Sequence, residues 1–275
     1  MAAAGGGSGG GGGASTSGCG LKRRYAAAAP TEANQDQPPS EDHCLRLRNG
    51  MDLLKDVTEN KHFLPTGLEG IDMLLGGGLR QGQLTEITGP SSSGKTQVCL
   101  HSASHVAAMN IGSVMYLDTS ISFSASRIAG IIDDLPTSLV QEPKNLRLKK
   151  VMSSIICETV NSGGTKICLL IIDSISSLLA PIIGGKYPQG RSMMISVAMT
   201  LKKLAAEHNL SVLVTNHMVS AGNGAHKPAL GESWKAVPHV RLVTSCDRAS
   251  NICTATVLKH TLLASGRTMK FVLPS

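Results

Sequence analysis

From about residue 60 onward, short apolar runs alternate with longer amphipathic stretches, whereas the first 40 positions carry almost no apolar pattern. Alternating strand and helix signals predict a mostly parallel sheet with helices on both faces, an α/β fold. Residues 84–88 predict the first strand, 97–109 a helix, 114–117 a second strand and 125–133 another helix. Residues 146–152 read as a further strand. The run 167–172, Ile-Cys-Leu-Leu-Ile-Ile, is apolar throughout, as a strand buried on both faces must be. Met194, Val197, Ala198, Leu201, Leu204 and Ala205 recur at helical spacing, and 211–215 predict the next buried strand. The tail changes character. Residues 240–245, 252–258 and 269–272, joined by polar turns containing Asp247, Asn251 and Gly266, predict antiparallel strands that extend one sheet edge.

One spacing is tight. A parallel crossover between 152 and 167 must fit into residues 153–166, of which 161–164, Asn-Ser-Gly-Gly, cannot be helical. Only 155–160 remain for a helix, so one face of the sheet is expected to be poorly covered there.

Length and composition narrow the class. The chain has 275 residues, 41% of them hydrophobic, enough for one sizeable core. Residues 1–58 read as a disordered, low-complexity leader and linker, and 59–275 as the core domain. Lys22, Arg23 and Arg24 precede the first acidic residue, Glu32, as in an organelle transit peptide, but the glycine run before them cannot form the amphipathic helix such a peptide needs. No run of 18 apolar residues and no secretory signal occurs, so a soluble, intracellular protein without a membrane partner is expected. A net charge of +7 suits a polyanionic partner. Seven cysteines without a C-x-x-C pair read as reduced thiols rather than a zinc ribbon or disulfide framework.

The chemistry lies between the first strand and the first long helix. Gly89, Pro90, Ser91, Ser92, Ser93, Gly94, Lys95 and Thr96 fit G-x-x-x-x-G-K-[ST], the phosphate-binding P-loop, in the strand–loop–helix context that the motif requires. Small residues let successive backbone N–H groups curl around phosphates, and the positive end of the following helix adds to the attraction. Lys95 is assigned to the β- and γ-phosphates of ATP and the Thr96 hydroxyl to Mg²⁺. Asp173, ending the apolar run, is the expected second Mg²⁺ partner, with a helix cap as its competing reading.

With these residues in place, the chain resembles the RecA-like strand-exchange recombinases, and among them the paralogues of the D type. The resemblance rests on Thr66-Gly67, Ile71-Asp72 and the 74–78 Leu-Leu-Gly-Gly-Gly run before the P-loop, then Tyr116-Leu117-Asp118, Asp173-Ser174 and Thr215-Asn216-His217. Its most specific block is Lys227 to Trp234, with Pro238 and Arg241. It implies a RecA-like P-loop ATPase core in a nuclear protein of homologous-recombination DNA repair, which binds single-stranded or branched DNA and other paralogue subunits. On family-matched loops at 181–191 and 219–235 it implies Lys186, Tyr187, Arg191, His226, Lys227 and Lys235 as DNA-contact candidates.

The departures are as informative. Ser120 stands where the family carries the glutamate that positions the attacking water, so hydrolysis is expected to be slow while binding survives, since a general base contributes roughly 10²- to 10⁴-fold. Asp118 is the candidate substitute, though a carboxylate ending a strand equally caps a turn. His217 replaces the family's γ-phosphate-sensing glutamine, with a structural histidine as the competing reading. The family's N-terminal helical domain gives way to the leader, and no F-x-x-A interface motif occurs, so self-filament formation is not expected. Leader and short crossover together suggest a truncated or spliced form. Besides a nucleotide clamp, the readings to separate are a DNA-stimulated motor, which Ser120 disfavours, and a small-molecule phosphotransferase, which the block ending at Trp234 disfavours.

Overall fold

The computed structural model describes residues 49–51, 63–135, 143–156, 166–183, 189–221, 226–247 and 249–273. All but the first three belong to the compact unit Leu53–Ser275. The leader predicted at 1–58 lies outside the described residues except for 49–51.

A short antiparallel pair, β1 (Phe63–Leu64) and β2 (Leu79–Arg80), brackets α1 (Glu69–Leu75). There follow β3 (Leu84–Gly89), α2 (Lys95–Ala108), β4 (Ser113–Asp118), α3 (Ala125–Asp134), α4 (Lys144–Ser154), β5 (Ile155–Ile156), β6 (Ile167–Asp173), α5 (Ile175–Ile183) and α6 (Gln189–His208). The chain then forms β7 (Ser211–Ser220), β8 (His226–Pro228), α7 (Gly231–Lys235), β9 (Val240–Cys246), β10 (Ile252–Lys259) and β11 (Thr268–Val272). Strands β3 to β11 make one nine-stranded sheet in the order β11-β10-β9-β3-β7-β6-β4-β5, with β8 paired to β7. The centre is parallel, and β10, β11 and β8 run antiparallel to their neighbours. One refinement concerns β9, which the tail pattern assigns to an antiparallel edge: it pairs parallel with β3, so the antiparallel edge starts one strand later.

Strand periodicity explains the layering. In β6, Leu169 and Ile171 face the cluster formed with α1, α2, α3 and α4, while Leu170 and Ile172 face α5 and α6. In β7, Leu213 joins the first cluster, and Val212 and Val214 join the second. Both faces are covered, so polar alternation is lost and the runs read as continuous apolar strands. On α6, Met194, Ala198, Leu201 and Ala205 form the buried stripe, matching the predicted spacing. No described helix is long and apolar enough to cross a membrane.

Two expectations fail. Residues 146–152 are helical, within α4, and the strand is only Ile155–Ile156, paired parallel with Val114–Met115. Leu146 and Leu148 mimic alternation, but the packing positions are Arg147, Leu148, Val151 and Met152, one helical stripe, and Leu146 is exposed. The helix therefore precedes its strand, and Val151 belongs to the same buried cluster as Val114, Ile128 and Ile132. The remaining connection to β6, 157–165, lies outside the described residues. The second failure concerns the cysteines: Cys246 and Cys253 are bonded as a disulfide, and among the described residues Cys99 and Cys168 are buried free thiols. Sequence spacing could not show this pairing, because the β9–β10 register creates it by setting Cys253 opposite Cys246.

The central helix α2 also carries a pH-sensitive element. Burial lowers the His101 imidazole from its usual value to about 4, against the pull of Asp134. Its folded pKa lies below the unfolded one, so its stabilising contribution is present above about pH 6.5 and is lost as pH falls towards 4. The urea midpoint is expected to fall across that window, and His101→Gln to remove up to about 3 kcal/mol of the fall. The slope is reduced rather than abolished, because His105, His217, His239 and His260 are also lowered by burial.

Candidate nucleotide site

The site forms where the parallel strands end, the crevice at which open α/β sheets hold ligands. Strand β3 ends at Gly89, where side-chain space is absent: a Cβ there would lie 2.3 Å from Ser93 Oγ and 2.5 Å from the Thr244 carbonyl. The loop turns through Ser92 (φ 60°) and enters α2 at Gly94, whose φ of 87° suits glycine. No side chain caps the first turn of α2, so its leading N–H groups are free of the usual Ser, Thr or Asp partner. A 14-residue helix in that state presents its positive end to the loop. Lys95 is buried, and its ammonium donates to the carbonyl oxygens of Gly89 (2.9 Å) and Pro90 (2.7 Å). Burial lowers its pKa, and the Asp173 carboxylate opposes that shift.

A cavity of about 490 Å³ opens over this loop. Ser91, Ser92, Ser93, Gly94, Lys95 and Thr96 line it together with Ser120, Asp173 and His217, residues from four strand ends and loops. Asp173 closes β6 and is buried. Its carboxylate accepts from Thr215 Oγ1, from Tyr116 Oη at 3.2 Å and from Ser122 Oγ at 3.3 Å. It does not cap α5 in the manner of its competing reading; Ser174 Oγ instead accepts from Ser177 N at 3.2 Å. Asp118, the register partner of Asp173, bonds inside its own turn: its carboxylate accepts from Ser120 N at 3.0 Å and Phe123 N at 2.7 Å, and it is not among the cavity-lining residues.

His217 sits at the end of the buried part of β7. Its Nε2 lies 2.9 Å from Ser174 Oγ and 3.3 Å from Ser177 Oγ, and Ser177 Oγ is 3.3 Å from Ser120 Oγ. Burial and the Lys95 charge lower its pKa, with Asp173 opposing. From the next residue, Met218, β7 pairs with β8, and the His217 carbonyl accepts from Ala229 N at 2.8 Å. The cavity therefore adjoins the β7–β8 hairpin.

Four of the six DNA-contact candidates are among the described residues. Lys186 and Tyr187 lie outside the described residues. Arg191 is exposed on the first turn of α6, and His226 and Lys227 are exposed on β8. Lys227 and Lys235 line a second depression, where Lys235 pairs with Glu232 at 3.3 Å.

Sequence reasoning missed part of the cavity wall. Arg127 of α3, Asp247, Asn251 and Leu273 line it beside Cys246 and Cys253, because the β9–β10 hairpin folds over the loop. It also missed Glu86, fully buried in β3, which accepts from Asn216 Nδ2 at 2.7 Å, Trp234 Nε1 at 2.8 Å and Arg241 Nε. A lone carboxylate in a strand with no other charged residue was the available signal, since a buried charge requires partners.

Comparison with known proteins agrees with this architecture. A family model described as Rad51 matches residues 59–247. The chain is 34% identical over 218 residues to the DNA repair protein RAD51 homolog 4 of Bos taurus, covering 74% of this chain and 67% of that protein. The Mus musculus protein of the same name is 34% identical over 212 residues, 71% of this chain and 64% of the relative. The DNA repair and recombination protein RadB of Archaeoglobus fulgidus is 28% identical over 211 residues, 74% of this chain and 92% of the relative. The chain thus spans about two thirds of the mammalian relatives' length. Taken with the P-loop and the sheet order, these matches make the chain a member of the Rad51 family.

Proposed function

We propose that the chain binds ATP with Mg²⁺ at Gly89 to Thr96 and acts in homologous-recombination DNA repair as a nucleotide-gated clamp, in the nucleus, on DNA and on other paralogue subunits. The observation that carries this reading is the convergence of Lys95, Thr96, Asp173 and His217 on one cavity above an uncapped helix N-terminus, with Ser120 at the usual glutamate position. The donor set suits Mg²⁺: the Thr96 hydroxyl would hold it directly and the Asp173 carboxylate through water. When bound, the ion neutralises phosphate charge. Lys95 would leave the Gly89 and Pro90 carbonyls for the β- and γ-phosphates, the first-turn N–H groups of α2 would cradle the rest, and Arg127 would flank the nucleoside. His217, adjoining the β7–β8 hairpin, would relay nucleotide state towards Arg191, His226, Lys227 and Lys235 on the DNA side.

A clamp binds tightly and turns over slowly. DNA affinity is expected to be higher with ATP than with ADP, and DNA-stimulated hydrolysis to stay below ~1 s⁻¹, since Ser120 carries no carboxylate and the Asp118 carboxylate is engaged by the N–H groups of its own turn. Phosphate-release assays with purified chain and single-stranded or branched DNA measure this. Turnover above ~1 s⁻¹ would identify a motor instead.

A further inference from the structure

We propose, resting on the nucleotide site argued above, that Cys246 and Cys253 form a thiol–disulfide modification site on the cavity wall and that the bridged state holds nucleotide more tightly. The two sulfurs line the same cavity as Lys95, Thr96 and Asp173. They belong to opposite strands of the β9–β10 hairpin, at facing register positions, seven residues apart in sequence. Cys253 is fully buried, and Cys246 is half-buried at the cavity.

Their position against the P-loop makes the pair consequential. A Cβ placed on Gly94 would lie 2.9 Å from Cys246 Sγ and 3.7 Å from Cys253 Sγ, so the sulfurs pack directly on the residue that starts α2. Gly94 has no side chain to yield, and its neighbours are Ser93 and Lys95. Displacement of the Cys246 sulfur is therefore felt by the turn that presents the phosphate-binding N–H groups. The hairpin end also carries Asp247 and Asn251 of the cavity wall, and the Asn251 carbonyl accepts from Leu273 N at 3.2 Å. With the bridge in place these groups hold one arrangement. Once it is reduced, two thiols must separate to van der Waals contact inside a packed wall, and the wall loses its fixed form. A preorganised site binds more tightly than one that must be ordered on binding.

A nuclear glutathione pool keeps most dithiols reduced, so bridge formation reports oxidation. The chemistry balances with glutathione disulfide as oxidant. The Cys246 thiolate, the more accessible, attacks one glutathione sulfur and releases one glutathione. The Cys253 thiolate then attacks the mixed disulfide at Cys246 and releases the second. Two protein thiols are oxidised and one glutathione disulfide is reduced to two glutathiones.

The test equilibrates the full chain across glutathione redox ratios, quenches with acid, alkylates, and reads the Cys246–Cys253 peptides by mass spectrometry. The affinity for fluorescent mant-ATP is measured alongside. We expect the bridged form to bind at least about fivefold more tightly, and saturating ATP to shift the bridging midpoint by the same factor, as reciprocity demands. Cys246→Ser should bind like the reduced wild type and show no redox response. Absence of a bridge at every ratio, equal affinity in both states, or tighter binding when reduced overturns the proposal. A chain that binds no nucleotide in either state sinks the nucleotide reading together with this one, whereas equal binding sinks only this one.

Discussion

Lys95→Ala is expected to weaken mant-ATP binding by about 10- to 100-fold, the effect of losing a charge-assisted contact of roughly 1.5–3 kcal/mol. The ammonium is already aimed by the loop, held on the Gly89 and Pro90 carbonyls within the cavity that Thr96 and Asp173 share. Folding should survive the change. Burial lowers the Lys95 pKa, so the native state bears a cost for keeping this cation, and its removal relieves that cost. Urea midpoints at or above wild type, together with lost nucleotide binding, separate a binding role from a structural one. If nucleotide gates DNA and subunit binding, both should fall with the variant in ATP and match the wild type measured without nucleotide. A variant that holds DNA and partner subunits as the wild type does would disprove gating.

Glu86→Ala is expected to cost about 3–5 kcal/mol, because it leaves the Arg241 cation buried without its counter-charge. Glu86 is 0% and Arg241 4% exposed, and the carboxylate also takes the Trp234 and Asn216 donors. Against a total stability of about 5–15 kcal/mol, that is a large fraction. The loss should act where these residues meet: β3 carries the P-loop, Asn216 precedes His217, and Trp234 anchors α7 beside β8. Replacing Glu86 and Arg241 together by methionine should recover much of the stability, since the orphaned charge is then gone. Denaturation in urea reads both variants, and a Glu86→Ala cost below about 1 kcal/mol would refute the account.

What could be read before folding depended on whether the signal was local. The Gly89 to Thr96 loop was legible because phosphate cradling needs particular residues at consecutive positions. The strand at 167–172 was legible because burial on both faces leaves no polar position, and α6 because Met194, Ala198, Leu201 and Ala205 recur at helical period. The segment 146–152 was misread for the complementary reason. Its buried stripe includes Arg147, a charged residue that no apolar pattern registers, while exposed Leu146 supplied a false one.

The chain's local pattern thus determined the parallel α/β core, the phosphate loop and the absence of a glutamate at Ser120, each being a matter of residue type and short spacing. Tertiary structure decided the rest. Asp118 became a turn cap only because its turn curls back to offer the N–H groups of Ser120 and Phe123. Glu86 became a hub only when strand register brought Asn216, Trp234 and Arg241 around it. Cys246 and Cys253 became a bonded pair against Gly94 only through the β9–β10 hairpin and its place beside β3. A contact such as that of Glu86 with Arg241, 155 positions apart, depends on which strands lie side by side, and register carries that information where sequence spacing does not.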